Sequence, residues 1–346
     1  MHLPIHLLAL QQAEMPWRKA VCGAISVGLP MLIAYCLDQP YGILFGAIGG
    51  LYASFLDFGG TFRHRASTQA WGLALIFSAG IAGNLIGSAS PALLLLLLAM
   101  LCLGVGWIDG TGVALETIAR FVVLAFLIYA YLPAPPWSAL IFAVLGIAIG
   151  LAAVGVDSMI WPRALPRTHP GLVNSIGKVM RGRNAGWTHA LGFSATTCAA
   201  MWLALDLHYT RPAWVTAVTL FVIRPDGPDS LRRLFQTAFG TLAGAAAAWC
   251  ISHILPYMGL MLVWVTILAF LRPLAVARNQ WAASAVMTAM ILLLFDIVLL
   301  PAGQGAGAAI LRVRLNDAML GAMVALIGVA LFNRDARRHL LAHLRD

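Results

Sequence analysis

Apolar runs close to twenty residues long recur from one end of this sequence to the other, and that recurrence limits the possible folds more than any other feature. A helix of about 20 apolar residues, rising 1.5 Å per residue, is what crossing the hydrocarbon core of a bilayer requires. Twelve such stretches can be drawn, from 20–37 and 40–56 near the amino end to 280–300 and 307–332 near the carboxyl end. One of them, "PALLLLLLAMLCLGVGW" at 91–107, carries no charge at all. With 61% hydrophobic and 10% charged residues, the chain lacks the polar surface a soluble globule of 346 residues needs. A transmembrane β-barrel would instead show segments of about ten residues with alternating polarity. The predicted fold class is therefore an all-α, polytopic integral membrane protein with about 12 transmembrane helices.

The net charge of +9 invites a nucleic-acid reading, but the positions of the charges argue against it. If the amino terminus is cytoplasmic and every span is crossed in turn, Arg18, Lys19, Arg63, Arg65, the basic residues of 163–183, Arg232, Arg233, Arg272, Arg278 and the tail from Arg334 all fall on the inner side. Cytoplasmic loops of membrane proteins carry this excess of Lys and Arg, so the pattern predicts an inner-membrane protein with both termini in the cytoplasm. No cleavable signal peptide is expected ahead of the first span, because 1–10 is short and lacks a basic start. Arg211, Arg312 and Arg314 are left as exceptions near the outer surface. Five scattered cysteines form no CxxC pair and no cluster with histidine, which fits small buried residues rather than a metal site.

The chain also reads as two copies of one unit. A polar stretch at 158–186 holds Pro162, Pro166 and Pro170 with five basic residues, and marks a linker. Within it Leu172, Val173, Ile176 and Val179 recur at helical spacing, which suggests a short helix on the inner membrane surface. On either side, "DFGGTFRHRASTQAWG" and "DGPDSLRRLFQTAFG" place Asp57, Arg65 and Gly72 against Asp226, Arg233 and Gly240, with seven residues from each Arg to its Gly. The expected organisation is a first six-helix repeat at 1–157, a cytoplasmic linker at 158–186, a second six-helix repeat at 187–333, and a basic tail at 334–346. An even number of spans per copy makes the repeats parallel. Gly46/Gly50, Gly83/Gly87, Gly146/Gly150 and Gly240/Gly244 are spaced four apart, and with Gly321 they mark faces where helix backbones approach closely.

Catalysis finds no support. There is no HExxH, no GxSxG and no P-loop, and "DGTG" at 109–112 reads as a turn between helices. The sequence predicts neither an enzyme nor a cofactor nor a metal site. What stands out is charge at the membrane boundary. A charge at the centre of a span costs about 2.5–3.5 kcal/mol and calls for a partner or a wet cavity. Arg314 and Asp317 share a helix face, and Asp296 lies in the preceding span at a depth similar to Arg312. These four are the candidate pathway residues, with an Asp296 link to Arg312 or Arg314 expected and headgroup snorkelling of the arginines as the alternative. Asp57, Arg65, Asp226 and Arg233 flank inner turns, where capping or gating is the expected role. Glu116 and Arg120 form a local i, i+4 pair.

The stretch 211–249, with Trp214, a polar turn over Asp226–Arg233 and "GTLAG" at 240–244, resembles the fusaric acid resistance protein-like family. Arg314 and Asp317 followed by Gly321 resemble that family's Arg-x-x-Asp-x-x-x-Gly element. The likeness is good across 187–332 and weaker over 20–157. Thr237 stands where the family often has Arg, so no role carries over to that position. The long soluble insert of the larger members is also missing. The resemblance, which extends to the bacterial aromatic acid exporters, implies an inner-membrane transporter that exports aromatic or other organic acids, driven by protons. A more distant similarity to plant aluminium-activated malate transporters implies a passive anion channel instead. A non-transporting membrane scaffold or envelope-assembly factor is the third reading. The expected partners are small organic anions and the lipid bilayer, with a homo-oligomer compatible and nucleic acid excluded.

Overall fold

The computed structural model describes residues 9–10, 12–87, 90–131, 137–161, 165, 171–254, 257–299 and 306–333. Side chains at 137–138, 227–229, 298–299, 306–312 and 314 lie outside that description. Among the described residues the chain is helical, with one isolated bridge between Gly60 and Leu165. The helices are α1 (Trp17–Cys36), α2 (Pro40–Phe55), α3 (Phe62–Gly87), α4 (Pro91–Ile108), α5 (Val113–Tyr131), α6 (Trp137–Ile160), α7 (Leu172–Met180), α8 (Trp187–Asp206), α9 (Pro212–Val222), α10 (Gly227–Ile254), α11 (Met258–Arg278), α12 (Gln280–Leu299) and α13 (Ala306–Phe332). Among the described residues, nine of them are long and apolar enough to cross a membrane. The protein is a multi-pass helical membrane protein.

Helix starts follow from proline. Pro40, Pro91 and Pro212 each open a helix, where the missing N–H costs nothing and the fixed φ is already helical. Two helix ends share a less obvious device. After α1, Asp38 adopts φ 52°, and the N–H groups of Asp38 and Gln39 donate to the carbonyls of Tyr35 and Ala34. After α8, His208 adopts φ 57°, and the N–H groups of His208 and Tyr209 donate to Leu205 and Ala204. Both are Schellman turns made without glycine, and Asp and His are among the residues that tolerate the left-handed region best.

The helices pack into two compact units that do not follow chain order. Unit 1 comprises residues 1–70, 135–166 and 236–315, and unit 2 comprises 71–134, 167–235 and 316–346. In unit 1, α1 and α2 pack together, α6 packs on both, α11 packs on α1 and α12, and α12 touches α2. In unit 2, α8 packs on α9, α4 on α8 and α5, and α5 on α9. The pairings match once α1, α2, α11 and α12 are set against α8, α9, α4 and α5. Helices α3, α10 and α13 each contribute to both units.

Each unit is built around a short helix. In α9, nine of eleven residues are buried, including Thr216 and Thr219, and α2 is buried along most of its length. At 1.5 Å per residue α9 is only about 16 Å long, roughly half a hydrocarbon core. Glycine sets the close contacts. A Cβ on Gly146 would run into the backbone of Gly46, one on Gly244 into the Ala285 carbonyl, one on Gly240 into the Trp281 carbonyl, and one on Gly321 into Val215. The linker helix α7 exposes Val173, Ile176 and Met180 while burying Ser175. Pro162, Pro166 and Pro170 lie outside the described residues.

Candidate functional site

Unit 1 gathers its charges where α1 and α3 begin and α2 and α6 end. The Arg65 guanidinium, 1% exposed, grips Asp57 with two bonds, Nε to Oδ1 at 2.8 Å and Nη2 to Oδ2 at 2.6 Å. Its Nη1 donates to Asp157 Oδ2. Arg18 holds Asp157 from the other side, with Nε to Oδ1 at 2.8 Å and Nη2 to Oδ2 at 3.0 Å, and lies over the Trp161 ring. Gly59 and Gly60, both at positive φ, make the tight turn that follows Asp57, and the Gly59 N–H donates to its carboxylate. Paired, bidentate geometry of this kind is what buried charge requires.

Unit 2 builds a second network. Arg120, also 1% exposed, donates from Nη2 to Asp109 Oδ2 at 2.8 Å and from Nε to the Leu220 carbonyl at 2.8 Å. The second bond caps the carboxyl end of α9, whose last carbonyls have no helical partner. His189 Nε2 meets the same Asp109 oxygen at 2.9 Å. Glu116 Oε1 accepts the N–H groups of Gly110 and Gly112, and its Oε2 faces Arg120 at 3.6 Å and Arg224 at 3.3 Å. Burial, aggravated by Arg120 and Arg233, pushes the Arg224 guanidinium down to about 9.

Beside that network lies a cavity of about 490 Å³, lined by Thr188, His189, Gly192, Phe193 and Thr196 of α8, by Ile223 and Pro225 after α9, and by Gly328, Val329, Phe332 and Asn333 at the end of α13. Gly192 lies against Phe332 and Gly328 against Thr196, so two glycines set how closely α8 and α13 approach at its edge.

Other residues singled out by sequence are placed as follows. Asp57 and Arg65 pair directly. Asp226 is exposed and Arg233 half-buried at the α9–α10 turn, where Ser230 Oγ donates to the Asp226 carbonyl at 2.9 Å and accepts the Arg224 N–H at 2.9 Å. Asp296 accepts a bond from Ser252 of α10 at 2.5 Å. Asp317 is 1% exposed, and its charge partly offsets the burial that lowers the Arg211 guanidinium. The backbone of Arg312 and Arg314 is helical, and their side chains lie outside the described residues. Asp109, which reads in sequence as a turn residue, does sit at the α4–α5 turn, yet it is fully buried and joins Arg120 to His189. The Glu116–Arg120 pair proves to be one edge of a larger network. Asp157 and His189 drew no functional expectation. The available signal for Asp157 was that it is the lone acid of apolar α6.

The fold and these buried ion networks define a multi-pass helical membrane protein. Residues 197–328 match the fusaric acid resistance protein-like family, in the segment where the sequence motifs also point to it. No curated protein and no solved structure matches the chain.

Proposed function

We propose that the protein is a secondary transporter that moves aromatic or other organic acids out across the inner membrane, coupled to protons. The observation that carries this reading is the 490 Å³ cavity, polar and aromatic by turns, in the half of the chain that bears the family match. Pockets of 300–1,000 Å³ lined by apolar groups with a few placed polar ones are the usual form of a small-molecule site. On this reading the chain is two parallel six-helix repeats with both termini cytoplasmic, and the second helix of each, α2 or α9, is a short one buried among its neighbours. The matched helix pairings and the twin Schellman turns at Asp38 and His208 support the duplication. So does a polar bond at corresponding places. Asn84 of α3 donates to the Tyr129 carbonyl of α5, as Ser252 of α10 donates to Asp296 of α12. The interval from Asn84 to Ser252 equals that from Arg65 to Arg233.

Arg314, Asp317, Asp296 and Arg312 are retained as pathway residues, and Asp57, Arg65, Asp226 and Arg233 as groups that hold or gate the inner ends. The direct test is efflux of a panel of aromatic and aliphatic acids from proteoliposomes. Arg314→Gln, at unchanged protein level, is expected to lower efflux at least tenfold, the order expected for loss of a charged contact to a carboxylate. Unaltered efflux would remove Arg314 from the mechanism. Currents that follow voltage without any proton dependence would favour a passive anion channel. Absence of flux for every acid would favour a scaffold.

A further inference from the structure

We propose that α7 is a lipid-binding surface of unit 2. Its Val173–Ile176–Met180 face enters the headgroup–acyl boundary of the leaflet on the linker side, and Lys178, Arg181 and Arg183 hold anionic phospholipid headgroups there. The inference goes beyond the transport reading and does not depend on what the protein carries.

Three observations lead here. The first is the way α7 faces. It packs on α5 with Ser175 buried, yet it leaves Val173 82% and Met180 83% exposed, with Ile176 exposed between them. At 3.6 residues per turn these three share one side of the helix, and Lys178 lies opposite. A helix surrounded by water would turn that apolar side toward the protein. Facing it outward is the arrangement of a helix lying in a membrane surface, apolar side in lipid and polar side in water.

The second is where α7 is held. Past its end, Gly182 and Gly186 at positive φ turn the chain, and the Ala185 N–H donates to the Asp109 carbonyl at 2.9 Å. Next to that bond the rings of Trp107, at the end of α4, and Trp187, at the start of α8, lie 4.2 Å apart, and Trp187 is exposed. Tryptophan at helix ends marks the headgroup level of a bilayer. The bond therefore ties the end of α7 to that level.

The third is charge. Residues 158–186 include no acid. Arg181 and Arg183 are exposed and Lys178 is half-buried, and none of the three pairs with a carboxylate among the described residues. Arg120 and Arg224 of the same unit each face one. Anionic headgroups supply the opposite charge that α7 lacks. The occupant is lipid rather than a protein partner. A helix of 9 residues is about 14 Å long, too small for the roughly 800 Å² that each side of a specific protein interface buries.

The test uses the full-length protein with C36S, C198S and C250S, carrying an environment-sensitive fluorophore at V173C, N174C or M180C. All three label positions are exposed, so the label itself does not disturb packing. The protein is placed in nanodiscs of phosphatidylcholine and phosphatidylglycerol. Labels at 173 and 180 should emit to the blue and be quenched by spin-labelled lipid, more by shallow spin labels than by deep ones. The label at 174, on the polar side, should emit as in water. Spin-labelled phosphatidylglycerol should quench the M180C label at least about twofold more than spin-labelled phosphatidylcholine, and R181Q/R183Q should erase that difference. Water-like emission at 173 and 180 would overturn the proposal. So would blue-shifted emission that no lipid label quenches, which would point to a protein occupant. Equal quenching by the two lipids, or a preference that survives R181Q/R183Q, would remove the headgroup contact.

Discussion

At the scale of single residues, the structure turns on guanidinium groups that have nowhere to shed their charge. Arg65 sits between Asp57 and Asp157, and Arg120 between Asp109 and the end of α9. Deleting one partner strands the other, at a cost of about 3–5 kcal/mol for a buried pair. Asp157→Asn is therefore expected to lower the thermal midpoint, because it removes the carboxylate that Arg18 grips and one of the two that hold buried Arg65, which keeps Asp57. Arg18→Ala should cost well under half as much, since the Arg18 side chain is 22% exposed and Asp157 keeps Arg65. Melting of detergent-purified variants gives the ranking, and equal losses would contradict it. Arg120→Lys should behave almost like a deletion. A lysine ammonium is a single point and cannot serve Asp109 and the Leu220 carbonyl with a guanidinium's spread. Asp57 with Arg65 was legible in sequence as a repeated turn motif. Asp157 and His189 were not, because their partners lie 92 and 80 residues away and no local spacing reports a bond of that span.

At the scale of elements, the close helix contacts are set by glycines whose place a side chain cannot take. Leucine at Gly146 or Gly244 would meet backbone rather than a movable side chain. Overpacking of this kind costs about 1–3 kcal/mol or more. Both substitutions should lower the yield of folded protein, measured by fluorescence-detected size exclusion. Gly104→Ala is the control, since a Cβ there meets nothing within 4 Å, and it should be neutral or slightly stabilising. Apolar periodicity located these helices well, and proline fixed several of their starts. It could not say that α2 and α9 are short central helices. An apolar run reads the same whether lipid or protein surrounds it.

At the scale of the whole molecule, neither half of the chain completes a unit. Unit 1 takes α1, α2 and α6 from before the linker and α11 and α12 from after it, and unit 2 takes α8 and α9 from after and α4 and α5 from before. A chain cut within the linker should yield two fragments that are each degraded when expressed singly and that recover stability when co-expressed. Two separately stable fragments would contradict the interleaving. Sequence by itself determined the membrane class, the extent of the helices, the family resemblance over the second half and the turn motif at Asp57 and Arg65. Composition, apolar period and short motifs are local properties that a chain carries before it folds. Only the tertiary structure decided which helices share a unit, which acid faces which arginine, and where α8 and α13 leave a cavity. Those outcomes depend on shape and on pairing between segments far apart in the chain, and burial makes each pairing obligatory only once the neighbours are in place.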